Sequence, residues 1–183
     1  MRISLDKSQL DIIEKIQNSH DDFAILGRAG TGKTTLLNAL KDKLISDGFK
    51  VLCCASTGKA AVEIGGVTAH SLFGLKLSVA DPFFVPSPFD DNIIKKADVI
   101  LFDEISMCRI DAFTSIMNFL ATLNPNIFEE HRPQMIFCGD FGQLPPVINN
   151  TDAPVLYKFY QGKKYAFQSH WWKTIKEVSP CQR

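Results

Sequence analysis

The chain has 183 residues, 45% of them apolar, with 20 Lys plus Arg set against 20 Asp plus Glu. That is the size of one domain with a single core, and the balance of charge excludes an overall positive field that would pull the chain onto nucleic acid or an anionic membrane. Any polyanion partner must therefore be gripped locally. The five cysteines have no metal-ligand spacing and read as small hydrophobes in a reducing compartment. With no signal peptide and no apolar run of about 18 residues, the expectation is a soluble, intracellular, cytoplasmic protein.

The chain opens with LDKSQLDIIEKI (5 to 16), apolar at Leu10, Ile13 and Ile16 and supplied with Ser and Asp caps, which predicts a short amphipathic helix. Four near-continuous apolar runs follow: FAILG (23 to 27), VLCCAS (51 to 56), DVILFDE (98 to 104) and MIFCGD (135 to 140). Continuous apolarity, rather than alternation, predicts strands covered on both faces, as in a parallel sheet. Between the first two runs, Leu36, Leu37, Leu40 and Leu44 have helical spacing and Gly48 supplies a C-terminal stop, completing a βαβ unit. IDAFTSIMNFLATL (110 to 123) repeats the helical period. Residues 75 to 97 interleave Pro82, Pro86 and Pro88 with Phe83, Phe84 and Phe89, predicting a loop or small insertion. Residues 147 to 165 predict an irregular connection holding a short helix from Pro154 to Gly162, and IKEVS (175 to 179) a weaker fifth strand. This order of elements predicts an α/β fold: a doubly wound parallel sheet with flanking helices and a small inserted loop region.

GRAGTGKTT (27 to 35) sits where the first strand should turn into a helix. Gly27, Gly30 and Gly32 allow the crowded or left-handed backbone that turns N–H groups toward an anion, with Thr31 and Thr35 completing the loop. Lys33 is placed to reach the β and γ phosphates and the Thr34 hydroxyl to meet Mg²⁺, as in a P-loop NTPase. At the end of the third run, Asp103 is a candidate metal ligand and Glu104 a candidate base to polarise the attacking water. The chain has no N-K-x-D guanine reader, so the nucleotide predicted is ATP.

ASTGKAA (55 to 61), IGGVTAHSLFG (64 to 74) and GDFGQLPPV (139 to 147) complete an ordered set with GRAGTGKTT and FDEISM (102 to 107). This set resembles the Pif-type (petite integration frequency) DNA helicases of the RecD-related superfamily 1B, over the stretch from about Gln9 to the last residue. The resemblance implies a RecA-like N-terminal motor domain that binds and hydrolyses ATP with Mg²⁺ to move, five-prime to three-prime, on single-stranded or forked DNA. It implies roles in DNA repair and recombination, and a monomer. Ser56, Thr57, Lys59, Thr68, His70 and Ser71 match positions that line the family's DNA groove, and short hydroxyl donors with a cation suit a phosphodiester backbone. Capping is the alternative for Thr68 and Ser71, and a packed histidine the alternative for His70. Gln143 matches the family's γ-phosphate sensor, on a strand that lies between the phosphate-loop strand and the Asp-Glu strand in relatives. Gly142 stands where many relatives carry a larger side chain.

Gln9 matches a glutamine that reads adenine through its amide; a surface polar on a helix is the alternative. Trp171 and Trp172 are open to two readings, base stacking or anchorage to the core. The Phe and Pro cluster of 82 to 89 falls where relatives vary and can carry a strand-separating element. The family pattern places ATP between two RecA-like halves, with an arginine from the far side. The 183 residues carry no counterpart of the second half, and the terminal CQR resembles the start of the next family motif, with Arg183 as its nucleotide-facing arginine. The expectation is that residues 1 to 183 bind ATP·Mg²⁺ but turn over slowly, since an arginine finger is worth about 10³ to 10⁵ in rate. Two other readings of the residues remain open, a P-loop ATPase switch that never touches DNA and a nucleotide-dependent DNA-binding module without turnover.

Overall fold

The computed structural model describes residues 5 to 123 and 132 to 180. Its sheet contains β1 (Phe23–Leu26), β2 (Val51–Ala55), β3 (Val67–Thr68), β4 (Val99–Asp103), β5 (Gln134–Gly139) and β6 (Lys176–Val178), in the order β3-β2-β4-β5-β1-β6. Every pairing is parallel, so the carboxyl ends of all these strands open on one edge. The strand ending in GDFGQ lies between the phosphate-loop strand and the Asp-Glu strand, as the resemblance implied.

Successive strand residues point to opposite faces, and both faces here are apolar. Along β4, Ile100 and Phe102 join Phe113, Ile116, Phe137 and Trp172 on one side, while Val99 and Leu101 join Ile13, Leu36, Leu37 and Leu40 on the other. Helix α6 (Ile110–Thr122) thus covers the first face, and α1 (Lys7–Gln17) and α2 (Lys33–Ser46) the second. Double burial explains why the strands read as unbroken apolar runs. Trp172 is in the core, ringed by Phe113, Phe137 and Phe141, and Trp171 donates from Nε1 to Asn118 Oδ1 at 2.9 Å. Both tryptophans anchor the segment to the core.

Two stretches differ from the sequence reading. Strand β3 and helices α3 (Gly58–Glu63) and α4 (Ala69–Phe73) fill the segment between β2 and the insertion. A two-residue strand leaves no periodic signal; it forms because Gly66 lets the chain close on β2, where a Cβ would stand 2.1 Å from the Cys53 carbonyl oxygen. The insertion also ends in a helix, α5 (Asp91–Lys95), capped by Asp90 accepting from Asn92 N at 3.0 Å. Five residues with one buried side chain, Ile94, are too few to show a helical period. The rest of the insertion is fastened by Asn118 of α6, whose Nδ2 donates to the carbonyls of Pro82 (2.9 Å) and Phe84 (3.1 Å). Helix α7 (Asp152–Tyr160) occupies the later connection, with Gly162 just beyond it at positive φ. Cys54, Cys108 and Cys138 are buried thiols, pushed upward in pKa by burial, as small hydrophobes of a core should be.

Candidate active site

Between β1 and α2 the chain turns through Gly30 (φ 79°) and Gly32 (φ 74°), and Gly32 stands at the N-cap of α2. No side chain caps this helix, so its first N–H groups face the cavity before it, ready for an anion. Gly27 is required by crowding rather than by φ: a Cβ there would meet Thr31 Oγ1 at 2.8 Å. The Lys33 ammonium curls back and donates to the carbonyls of Gly27 (2.7 Å) and Arg28 (2.8 Å), and Thr31 Oγ1 donates to Arg28 O at 2.8 Å.

The cavity in front of this loop has a volume of about 380 Å³, and its walls include Lys33, Thr34, Thr35, Asp103, Glu104 and Gln143. Sequence reasoning therefore brought together residues from the ends of three different strands. Asp103 is buried, and burial raises its carboxyl above the ordinary aspartate value. The nearby Glu104 adds to that shift, while the Glu104 N–H, the Cys138 thiol and Lys33 oppose it. A half-satisfied buried carboxylate beside an exposed threonine hydroxyl fits one divalent cation shared with phosphates. Among the described residues no cluster of three or more His, Cys, Asp or Glu could hold a metal ion, so phosphate and water would have to complete the shell of such an ion.

Glu104 occupies the left-handed region, φ 55° and ψ 44°, where non-glycine residues are uncommon. Its neighbours hold it there. Ser56 Oγ donates to the Glu104 carbonyl at 2.7 Å, and Thr57 Oγ1 donates to the Glu104 carboxylate at 2.8 Å. A short turn, Ile105–Met107, follows, and it packs so closely on β5 that a Cβ at Gly139 would meet Ile105 Cγ2 at 2.9 Å. Gln143 is exposed and donates from Nε2 to Asp140 Oδ2 at 2.9 Å. Burial raises the Asp140 carboxyl, yet the Gln143 amide, the Gly142 N–H and the Lys33 charge outweigh it and hold the group below the ordinary value.

Next to this cavity lies a second groove of about 280 Å³, lined by Ser56, Thr57, His70, Arg109 and Val147 over an apolar floor that includes Phe102 and Ala112. Met107 lines both depressions, so they share part of a wall. Burial draws the His70 imidazole below its ordinary value; the Arg109 charge reinforces this and Asp111 opposes it. Thr68 and Ser71 sit at the end of β3, where Thr68 caps α4 by accepting from Ser71 N at 3.2 Å and the two hydroxyls share a 2.9 Å contact. They do not line this groove; capping is the role their contacts display. Lys59 is exposed beside Glu63.

Gln9 is buried rather than a surface polar. Its Oε1 accepts from Asp6 N in a reciprocal capping box, and its Nε2 lies 2.8 Å from where a Gly32 Cβ would stand. The donor end of the amide thus abuts the phosphate loop while the acceptor end is committed to capping. Arg183 lies outside the described residues.

Arg109 went unread in the sequence. Its guanidinium grips both oxygens of Asp111 (2.7 and 2.8 Å) and Asp152 (2.7 Å), and Asp111 also accepts from Ala80 N at 3.1 Å. This joint ties α6, α7 and the insertion together beneath the second groove. The RID triplet carried a signal, since a charge on a core-facing helix needs a partner.

The chain matches the PIF1-like helicase family model over residues 4 to 179. It is 36% identical over 190 residues to the ATP-dependent DNA helicase PIF1 of Saccharomyces cerevisiae, covering 93% of this chain and 20% of that protein. Against the human ATP-dependent DNA helicase PIF1 it is 30% identical over 183 residues, covering 96% of this chain and 26% of the relative. The crystal structure of Pif1 helicase from Bacteroides in complex with ADP-AlF3 and single-stranded DNA superposes with a TM-score of 0.83 at 30% identity, over 99% of this chain and 43% of that one. A structure of two coordinating Pif1 helicases at forked double-stranded DNA gives 0.82 at 31% identity, over 97% of this chain and 44% of that one. The chain therefore spans less than half the length of these relatives. A P-loop, an acidic strand end and a glutamine lining the same cavity, arranged on a RecA-like sheet, agree with those matches, and this chain belongs to the PIF1-like helicase family.

Proposed function

We propose that this chain is the first motor domain of an ATP-dependent DNA helicase, which binds ATP·Mg²⁺ in the phosphate cavity and holds single-stranded or forked DNA in the neighbouring groove. Its second motor half, supplying an arginine from across the nucleotide, belongs to the full-length protein; a DNA substrate places the activity inside the cell. The observation that carries this reading is the convergence of Lys33, Thr34, Asp103, Glu104 and Gln143 on one cavity whose wall is shared with the groove.

The chemistry is metal-assisted attack of water on the terminal phosphoanhydride. The free N–H groups of α2 and the Lys33 ammonium neutralise the phosphates, with Lys33 exchanging its bonds to Gly27 and Arg28 for bonds to oxygen anions. Thr34 and Asp103 would hold the cation. Glu104 accepts the proton of the attacking water. Gln143, linked to Asp140 on the loop after β5, registers whether the terminal phosphate is present and passes that state to the loop's outer face, where Leu144 and Val147 are exposed. Gln9 contributes its amide N–H beside the phosphate loop.

In the full-length protein, hydrolysis should be stimulated by oligo-dT, and binding of oligo-dT should weaken steeply with salt. Glu104→Gln should lower kcat by about 10² to 10⁴ while leaving nucleotide binding in place. Hydrolysis indifferent to DNA, together with no salt-dependent binding, would overturn the helicase reading in favour of another P-loop ATPase.

A further inference from the structure

We propose that Thr57 is a positioning residue that couples occupancy of the groove to hydrolysis, because its single hydroxyl proton can serve either the Glu104 carboxylate or a phosphodiester oxygen, not both. The inference rests on the reading of the chain as a DNA-stimulated ATPase. Thr57 is the N-cap of α3: its oxygen accepts from Ala60 N at 3.3 Å, and its proton is donated to Glu104 Oε2 at 2.8 Å. A threonine hydroxyl has one proton to give, and a carboxylate and a phosphodiester are both acceptors only. Thr57 also lines the groove, beside His70 and Arg109. A backbone phosphate drawn to that spot therefore competes directly with Glu104.

The surrounding contacts limit what can respond. Ser56 fixes the Glu104 main chain through its hydroxyl (2.7 Å), and Ser56 N donates to Asp103 O at 3.2 Å. The left-handed backbone of Glu104 is thus held from the end of β2, and the group left to move is its carboxylate. While Oε2 accepts from Thr57, the carboxylate is tethered toward the groove and is not free to turn to a water in the phosphate cavity, which Glu104 also lines. Loss of the Thr57 bond frees it. Groove and cavity are then linked by one hydrogen bond, with no requirement for a rigid-body movement within this domain.

The test is steady-state ATP hydrolysis by the full-length protein with and without oligo-dT. Thr57→Val removes the donor and should raise the DNA-free rate, compressing the stimulation ratio about tenfold, the equilibrium weight of one hydrogen bond to a charged group, with KM for ATP unmoved. Thr57→Gly, which removes the donor and the side-chain cap together but is tolerated at an N-cap nearly as well as threonine, should do the same with little loss of helix stability. Thr57→Ser should restore the wild-type ratio. If the wild type is stimulated but both Thr57→Val and Thr57→Gly keep its ratio, this inference fails and the helicase reading stands. A collapse of both rates, like that of Glu104→Gln, also overturns it, since Thr57 would then be orienting Glu104 for attack. A wild type that DNA does not stimulate overturns both.

Discussion

The phosphate cavity adds main-chain N–H groups to its charged side chains, whereas the groove beside it is lined by polar side chains already engaged with their neighbours. In the cavity, glycines at positive φ and the uncapped start of α2 aim main-chain N–H groups at one volume, so the anion site follows from where the chain can turn. In the groove, the hydroxyls of Ser56 and Thr57 are engaged with Glu104, and Arg109 is locked to two aspartates. A donor that belongs to the main chain is not removed by substituting a neighbouring side chain. A wall made of engaged side chains fails when one member is lost.

That contrast yields a graded set of expectations. Arg109→Ala should be the most damaging to the fold, destabilising by about 3 kcal/mol, because Asp111 is left almost wholly buried with no counter-charge; chemical denaturation measures it, and a loss under about 1 kcal/mol would show that the groove wall does not depend on this joint. Thr68→Ala should cost about 1 kcal/mol through the cap of α4. Retained oligo-dT affinity in that variant would assign Thr68 to capping alone; lost affinity would put DNA at the end of β3.

Asp103→Asn should move in the opposite direction. Burial raises the Asp103 carboxyl, so the folded state holds its proton to a higher pH than the unfolded chain does, and ionisation at pH 7 detracts from stability. Asparagine cannot ionise. The variant should gain roughly 0.5 to 2 kcal/mol at neutral pH, and the gain should shrink as pH falls through the folded carboxyl's value and vanish below the unfolded one. Thermal melts across pH 3 to 8 check this. Hydrolysis should be lost in the same variant, a sign that the strained carboxylate is kept for its cation. A gain that did not vary with pH would place the effect in packing and remove the cavity's electrostatic half of the contrast.

The same contrast governs what could be read in advance. GRAGTGKTT, FDE and GDFGQ each close a doubly buried apolar run, so residue type and place along the strand were enough to put Lys33, Asp103, Glu104 and Gln143 on one edge. The groove was only half legible. Thr68 and Ser71 have the chemistry of phosphate ligands and of helix caps alike, and nothing local separates the two uses; the distances show the capping bonds, made by hydroxyls that stay exposed. Strand β3 and helix α5 were illegible because elements of two and five residues carry no period.

By itself, then, the sequence determined the layered parallel sheet, the phosphate loop and the acidic strand end, since these follow from apolar runs, glycine conformations and charges a few residues apart. Only the tertiary structure decided which side-chain proton meets which oxygen. Thr57 and Glu104 are 47 positions apart in the chain, and the parallel pairing of β2 with β4 brings their ends together. A single hydroxyl has one proton, so where that proton goes depends on the neighbour the fold supplies.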